Sequence, residues 1–133
     1  MSTVDLREHS WNYIDTLNER HFEDLPSFVV GKLAYNGETM TGRQYRELLE
    51  DDVPRIPDLF FDVQHLLVDN VYVACRIGFD CTPREPFQGR QPTGSRVVFT
   101  EHVFYRFRDD RIRQVWSLLD VTALKRQLSR KQA

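Results

Sequence analysis

The sequence is poor in most features that would place it at a glance. It holds two cysteines in 133 residues. Cys75 and Cys81 lie six apart, and no second pair completes a zinc-type spacing. Both read as ordinary core thiols of a reducing compartment, and no metal or cofactor is expected. No apolar run approaches the roughly 18 residues of a membrane span. The start, MSTVDLREHSWNY, is polar and charged and has no signal-peptide character. A cytoplasmic protein is expected, without a membrane partner. Net charge is −2, so nothing global points to nucleic acid. There is no internal repeat and no low-complexity linker. The length fits one domain, residues 1–133, large enough to bury a core unaided.

Aromatics are plentiful: nine Phe, five Tyr and two Trp. They suit a large core or an apolar cavity. Residues 3–20 read as a helix, with Leu6, Tyr13, Ile14 and Leu17 at helical spacing. Ser2 or Thr3 can cap it, and Asp5 favours its first turn. A break and short helix follow around Pro26, then a strand running into a turn at Asn36-Gly37. Residues 41–53 form a second amphipathic helix ended by Pro54 and Pro57. The remainder is strand-rich. Residues 59–68 and 71–81 flank a turn at Asp69-Asn70, which puts 65 opposite 74 and 63 opposite 76. His65 and Arg76 then share a face. Residues 83–94, with three prolines and two glycines, form a loop. Residues 95–107 and 111–120 flank a turn near Asp109-Asp110, and 121–129 form a terminal helix. Helices first and a long meander after argue α+β, with N-terminal helices packed on a curved antiparallel sheet.

The last hairpin carries the candidate chemistry. A two-residue turn at Asp109-Asp110 pairs Val103 with Trp116 and Phe99 with Asp120. One face then holds Phe99, Glu101, Val103, Tyr105, Phe107, Ile112, Gln114, Trp116, Leu118 and Asp120. It is the more apolar face and should point at the core. Glu101 and Asp120 become diagonal neighbours on it, and two acids on an aromatic inner face signal a functional site. A one-residue slip would reverse the facing and put His102 with Asp120 instead. Asp120 also precedes VTALKRQL, and spacing supports a helix cap as well as a catalyst. Glu101 alone is more often a salt-bridged residue, His102 alone a structural histidine, and Trp116 alone core. The opposite face carries Val98, Phe104, Val115 and Leu119 with Thr100 and His102. Four apolar side chains there predict a homodimer through the outer sheet. Arg106, Arg108, Arg111 and Arg113 line one end of it, too short a patch for nucleic acid.

The stretch EHVFYRFRDDRIRQVWSLLD (101–120) resembles the C-terminal hairpin of SnoaL-like polyketide (ester) cyclases, within the NTF2-like superfamily. Tyr105-Arg106-Phe107, Asp109, Ile112, Trp116 and Asp120 carry the match. PTGSRVVF (92–99), LLVDNVYVACRIGFDCTP (66–83) and AYNG (34–37) extend it over most of the chain. Asp110 stands where that family usually has Gly, and Arg111 where it has Lys. The resemblance implies an NTF2-like cone (an α+β barrel), usually a homodimer, with a deep apolar pocket. It implies an acid at the position of Asp120 as general base, and no metal or cofactor.

Burial raises a carboxylate's pKa and makes it a stronger base toward carbon next to a carbonyl. The enolate then needs a donor; ketosteroid isomerase, with this superfamily's fold, uses a pair of acids. The expectation is a cyclase, isomerase or dehydratase with Asp120 as base. Glu101, His102 or Tyr13 would be the donor. Phe99, Val103, Tyr105, Trp116 and Leu118 would shape the pocket around a small hydrophobic or polycyclic ligand. Two other readings use the same cone: a non-catalytic carrier of a small apolar ligand, and an interaction module working through its outer face.

Overall fold

The computed structural model describes residues 4–129. Helix α1 (Leu6–Asn18) comes first, followed by a 3-10 helix (Phe22–Ser27). Strands β1 (Val29–Tyr35) and β2 (Glu38–Thr41), helix α2 (Gly42–Arg55), and strands β3 (Asp62–Asp69), β4 (Tyr72–Cys81), β5 (Val97–Arg108) and β6 (Arg111–Leu119) follow. Helix α3 (Val121–Gln127) closes the chain. The expected helices, strands and order are present. Strand β2 is an addition, because its sequence, ETMT, is short and polar.

Local chemistry explains the boundaries. Asp5 caps α1 by accepting the Arg7 and Glu8 N–H groups at 2.9 and 3.4 Å. The expected caps Ser2 and Thr3 lie outside the described residues. Thr41 and Gln44 form a reciprocal capping box at the start of α2. Pro54 sits in the last turn of α2, and the helix ends one residue later. Asn36-Gly37 and Asp109-Asp110 both turn with two positive φ angles, the two-residue geometry that suits a hairpin's twist.

The six strands form one sheet in the order β2-β1-β6-β5-β4-β3. All neighbours are antiparallel except β1 and β6. Its inner face is apolar. Val73, Cys75, Ile77 and Phe79 of β4 line up with Phe99, Val103, Tyr105 and Phe107 of β5 and Ile112 and Val115 of β6. Tyr13, Ile14 and Leu17 of α1 and Tyr45 of α2 close over it. Each fully buried Leu, Ile or Val contributes about 1.5–3 kcal/mol. Among the described residues no helix is long and apolar enough to cross a membrane.

Two hairpins depart from the expected register. The β3–β4 turn lies one residue later, at Asn70-Val71, with Asn70 at φ 56°. Asp69 pairs with Tyr72, and Leu67, not His65, faces Ala74. The same register brings His65 opposite Arg76, so these two do share a face, and an irregularity follows between Val63 and His65.

The β5–β6 correction matters more. Arg108 faces Arg111 as expected, but a bulge follows at once: Phe107 pairs with Ile112 and Arg106 with Gln114, leaving Arg113 as the extra residue. Every later residue of β6 is therefore turned over. Val103 faces Ser117, not Trp116, and Glu101 faces Leu119. Val115 and Ser117 point inward; Gln114, Trp116 and Leu118 point outward.

Candidate functional site

The inner face of the sheet and helices α1 and α2 enclose a cavity of about 620 Å³. The β5 wall is Phe99, Glu101, Val103 and Tyr105, all four as expected. From β6 come Val115, Ser117 and Leu119. Tyr13 enters from α1, also as expected, and Tyr35 from the end of β1. Helix α2 supplies Tyr45, Leu49, Asp52 and Arg55 at intervals of three and four, one helical face. The loop after β4 covers the mouth. Phe87 and Arg90 exchange two backbone bonds around Gln88 and Gly89, which have φ 51° and 71°. The turn presses Phe87 onto Phe99, with ring centres 6.0 Å apart. Arg55 anchors that loop by donating to the Pro86 carbonyl at 3.0 Å, while its own carbonyl accepts Arg84 N–H at 2.7 Å.

Glu101 is the acid on the inner sheet face. The Ser117 hydroxyl donates to its Oε2. Ser117 is itself fixed by Asn36, whose side chain accepts the Ser117 N–H at 2.8 Å and donates to its carbonyl at 3.2 Å. The turn at Asn36 therefore holds the serine that holds the acid. Burial pushes the Glu101 carboxyl above the ordinary glutamate value, and the serine hydrogen bond pulls partly against that rise. Around it stand tyrosines kept firmly protonated. Tyr13 and Tyr45 share a hydrogen bond at 2.6 Å, and burial raises both well above the usual phenol range. Tyr105 packs edge-on against Tyr13 at 5.7 Å and is raised the same way, chiefly by burial.

A second carboxylate, Asp52, lies on the α2 wall. It is pushed up to about 6, first by burial, then by the neighbouring Asp51, with Glu101 adding and Arg55 opposing. Tyr35 lines the same cavity, and its phenol is raised first by burial, with Ser117 opposing and Glu101 and Asp52 adding.

The other expected site residues lie elsewhere. Asp120 is exposed, caps α3 by accepting the Ala123 N–H at 3.0 Å, and is absent from the cavity walls. Its backbone N–H donates to the Thr100 carbonyl at 2.9 Å, which extends the β5–β6 ladder by one rung. His102 is on the outer face, its Nε2 2.9 Å from an Arg76 guanidinium nitrogen. Trp116 and Leu118 are also outside, 40% and 71% exposed. The bulge accounts for the shifts of Asp120, Trp116 and Leu118, which the unbroken ladder had turned inward, whereas His102 lies on the outer face where that ladder already put it. Two lining residues had a legible signal that went unused. Tyr45 and Asp52 lie seven apart on the stripe of α2 that carries Leu49, and an acid on such a stripe is a site signal. Ser117 had none without the bulge. Among the described residues, no three His, Cys, Asp or Glu side chains gather as a metal site would require.

A sheet wrapped around an inner cavity, with helices closing it and acids among tyrosines inside, is the NTF2-like cone. The model of the SnoaL-like polyketide cyclases matches residues 8–128, and the chain belongs to that family. A SnoaL-like polyketide cyclase from Agrobacterium tumefaciens is 40% identical, superimposes with a TM-score of 0.89, and covers 93% of this chain and 98% of its own. A proposed polyketide cyclase from Acidithiobacillus ferrooxidans is 22% identical at a TM-score of 0.80, over 96% and 97% of the two chains. AclR of Streptomyces galilaeus, a proposed hydroxylase, is 21% identical at 0.76, over 92% and 94%. These last two share the fold. No curated protein sequence matches the chain.

Proposed function

We propose that this protein is a cofactor-independent proton-transfer enzyme of the cyclase, isomerase or dehydratase type, with Glu101 rather than Asp120 as its general base. The observation that carries this reading is the position of Glu101: on the inner sheet face, inside the cavity, fixed by Ser117 and surrounded by neutral tyrosines. The family supports a role of this type. The cavity volume is within the usual range for small-molecule sites, and its aromatic lining suits a flat hydrophobic or polycyclic carbonyl compound.

Glu101 takes a proton from carbon next to the carbonyl, and the C–H electrons form the enolate C=C. A Tyr13 or Tyr45 hydroxyl donates to the developing oxyanion. Both phenols stay protonated because burial disfavours their anions, so the donor does not titrate away. Three outcomes branch from that enolate: attack on a second carbonyl, reprotonation at another carbon, or loss of a hydroxyl group.

We also propose a homodimer through the outer sheet face. The bulge keeps that face apolar, because it exchanges Val115 and Leu119 for Trp116 and Leu118. Leu67, Ala74, Phe104 and Trp116 form one row across β3, β4, β5 and β6, with Leu118 beside it on β6. Phe104 is 53% exposed, and an apolar sheet face this continuous suits a self-complementary contact.

Deuterium exchange tests the enzymatic reading. With 2-tetralone in D2O, NMR should show wild-type protein accelerating exchange at the α-carbon and Glu101→Gln losing it. Binding of the ketone without accelerated exchange would instead favour a carrier.

A further inference from the structure

We infer that Asp52 is a second acid–base residue of the same cavity, placed to protonate a departing oxygen while Glu101 removes the proton from carbon, so that the reaction the site favours is loss of water from a β-hydroxy ketone. This rests on the proposed role of Glu101 and names the reaction branch and the substrate class.

The geometry comes from three elements. Glu101 lies on β5, on the sheet wall, and Asp52 on α2, on the helix wall. Tyr35, at the end of β1, lines the same cavity. Arg55 could have paired with Asp52, yet its Nε donates to Asp51 at 3.2 Å and its Nη1 to the Pro86 carbonyl at 3.0 Å. Its guanidinium is thus engaged by Asp51 and the mouth loop. Asp52 also sits nearer solvent than the Tyr13–Tyr45 pair, one turn before the C-terminus of α2, where a proton can be replenished between turnovers.

The charged and titratable groups around Asp52 are Asp51 and Arg55 on its own helix, Glu101 from β5 and Tyr35 from β1. Asp51 and Glu101 favour its protonated form and Arg55 opposes it, while burial exceeds each of them. Burial raises both carboxyls; at Glu101 the Ser117 hydroxyl opposes the rise and favours the charged form a base needs, while at Asp52 the neighbouring acids add to it and favour the protonated form an acid needs.

The step balances. Glu101 carboxylate takes the α-proton, and the C–H electrons become the new C=C. The β-carbon–oxygen bond breaks, and its electron pair leaves with oxygen. Asp52 gives that oxygen its proton, so water departs. The product is an enone, with Glu101 protonated and Asp52 ionised. Solvent exchange restores both. No oxidant or reductant is required.

Benzisoxazoles test this, because they place a C–H and a departing oxygen one atom apart, as a β-hydroxy ketone does. Removal of the C3 proton breaks the N–O bond and releases a cyanophenol. The 5-nitro compound releases a good leaving group that needs no acid, and the parent compound a poor one that does. We expect Asp52→Asn to slow the parent at least 10-fold more than the nitro compound. It should also remove the fall in wild-type kcat/KM as pH rises through about 6. Glu101→Gln should abolish both reactions. Equal slowing of both compounds by Asp52→Asn, or no slowing, with Glu101→Gln inactive, overturns the inference and leaves the proposed function standing. Glu101→Gln as active as wild type overturns both. A carbon-13 titration of the aspartate carboxyls supplies a readout without turnover. The Asp52 signal should titrate near 6 and move down in Glu101→Gln; an ordinary value indifferent to that change also overturns the inference.

Discussion

The Ser117 hydroxyl donates to the Glu101 carboxylate across the β5–β6 ladder, and this pairing exists only because a bulge beside the hairpin turn moves Ser117 to the inner face. Serine stabilises the charged form of the acid, against the larger effect of burial. Ser117→Ala should therefore raise the Glu101 pKa further. The acid limb of kcat/KM should move to higher pH, with the fold intact by circular dichroism. An unmoved limb would mean the hydroxyl does not act on Glu101.

The sign of the Glu101 shift also predicts stability. Its folded-state pKa lies above its unfolded value, so the folded protein binds more protons between the two. Stability then falls as pH rises from the unfolded value through the folded one, and stays lowered above it. Glu101→Gln removes that cost. Its melting temperature should exceed that of the wild type more at pH 8 than at pH 4. Thermal scans at both pH values check this, and an equal difference at the two would contradict the burial argument.

Asp120 separates capping from catalysis. Its carboxylate accepts the Ala123 N–H at the start of α3. Asp120→Ala should cost about 1 kcal/mol of stability, the usual value for a lost cap, and Asp120→Asn close to nothing. Chemical denaturation of the two variants measures this directly.

On the outer face, Phe104→Glu should give a monomer in light scattering at micromolar concentration, where the wild type is expected to be a dimer. It places a charge in the middle of the Leu67–Ala74–Phe104–Trp116 row without touching the cavity. A wild-type monomer would remove the proposal.

The expectations from sequence succeeded and failed for identifiable reasons. Element order came from patterning and punctuation: prolines, Asn36-Gly37 and Asp109-Asp110 mark the boundaries, and the periodicity of Tyr13, Ile14 and Leu17 marks the buried side of α1. On β5 the alternation Phe99, Glu101, Val103, Tyr105 was legible because that strand runs straight. On β6 it was not. A bulge costs one unpaired residue, and no residue type near Arg113 demands it. Its consequence is nevertheless complete, exchanging Trp116 and Leu118 for Val115, Ser117 and Leu119 inside the cavity. The β3–β4 turn illustrates the same limit. Asp69, Asn70 and Val71 permit two registers that turn the same residues inward, so patterning of Leu66 and Val73 does not distinguish them and only the pairing partners change.

The central claim is that Glu101, not Asp120, moves the proton. The most direct measurement compares 2-tetralone deuterium exchange in wild type, Glu101→Gln and Asp120→Asn, with melting temperatures recorded alongside. The account predicts a folded Glu101→Gln variant slowed by roughly 100-fold or more, the scale of a lost general base, and an Asp120→Asn variant exchanging at the wild-type rate. A fast Glu101→Gln variant beside a folded but inactive Asp120→Asn variant would contradict it.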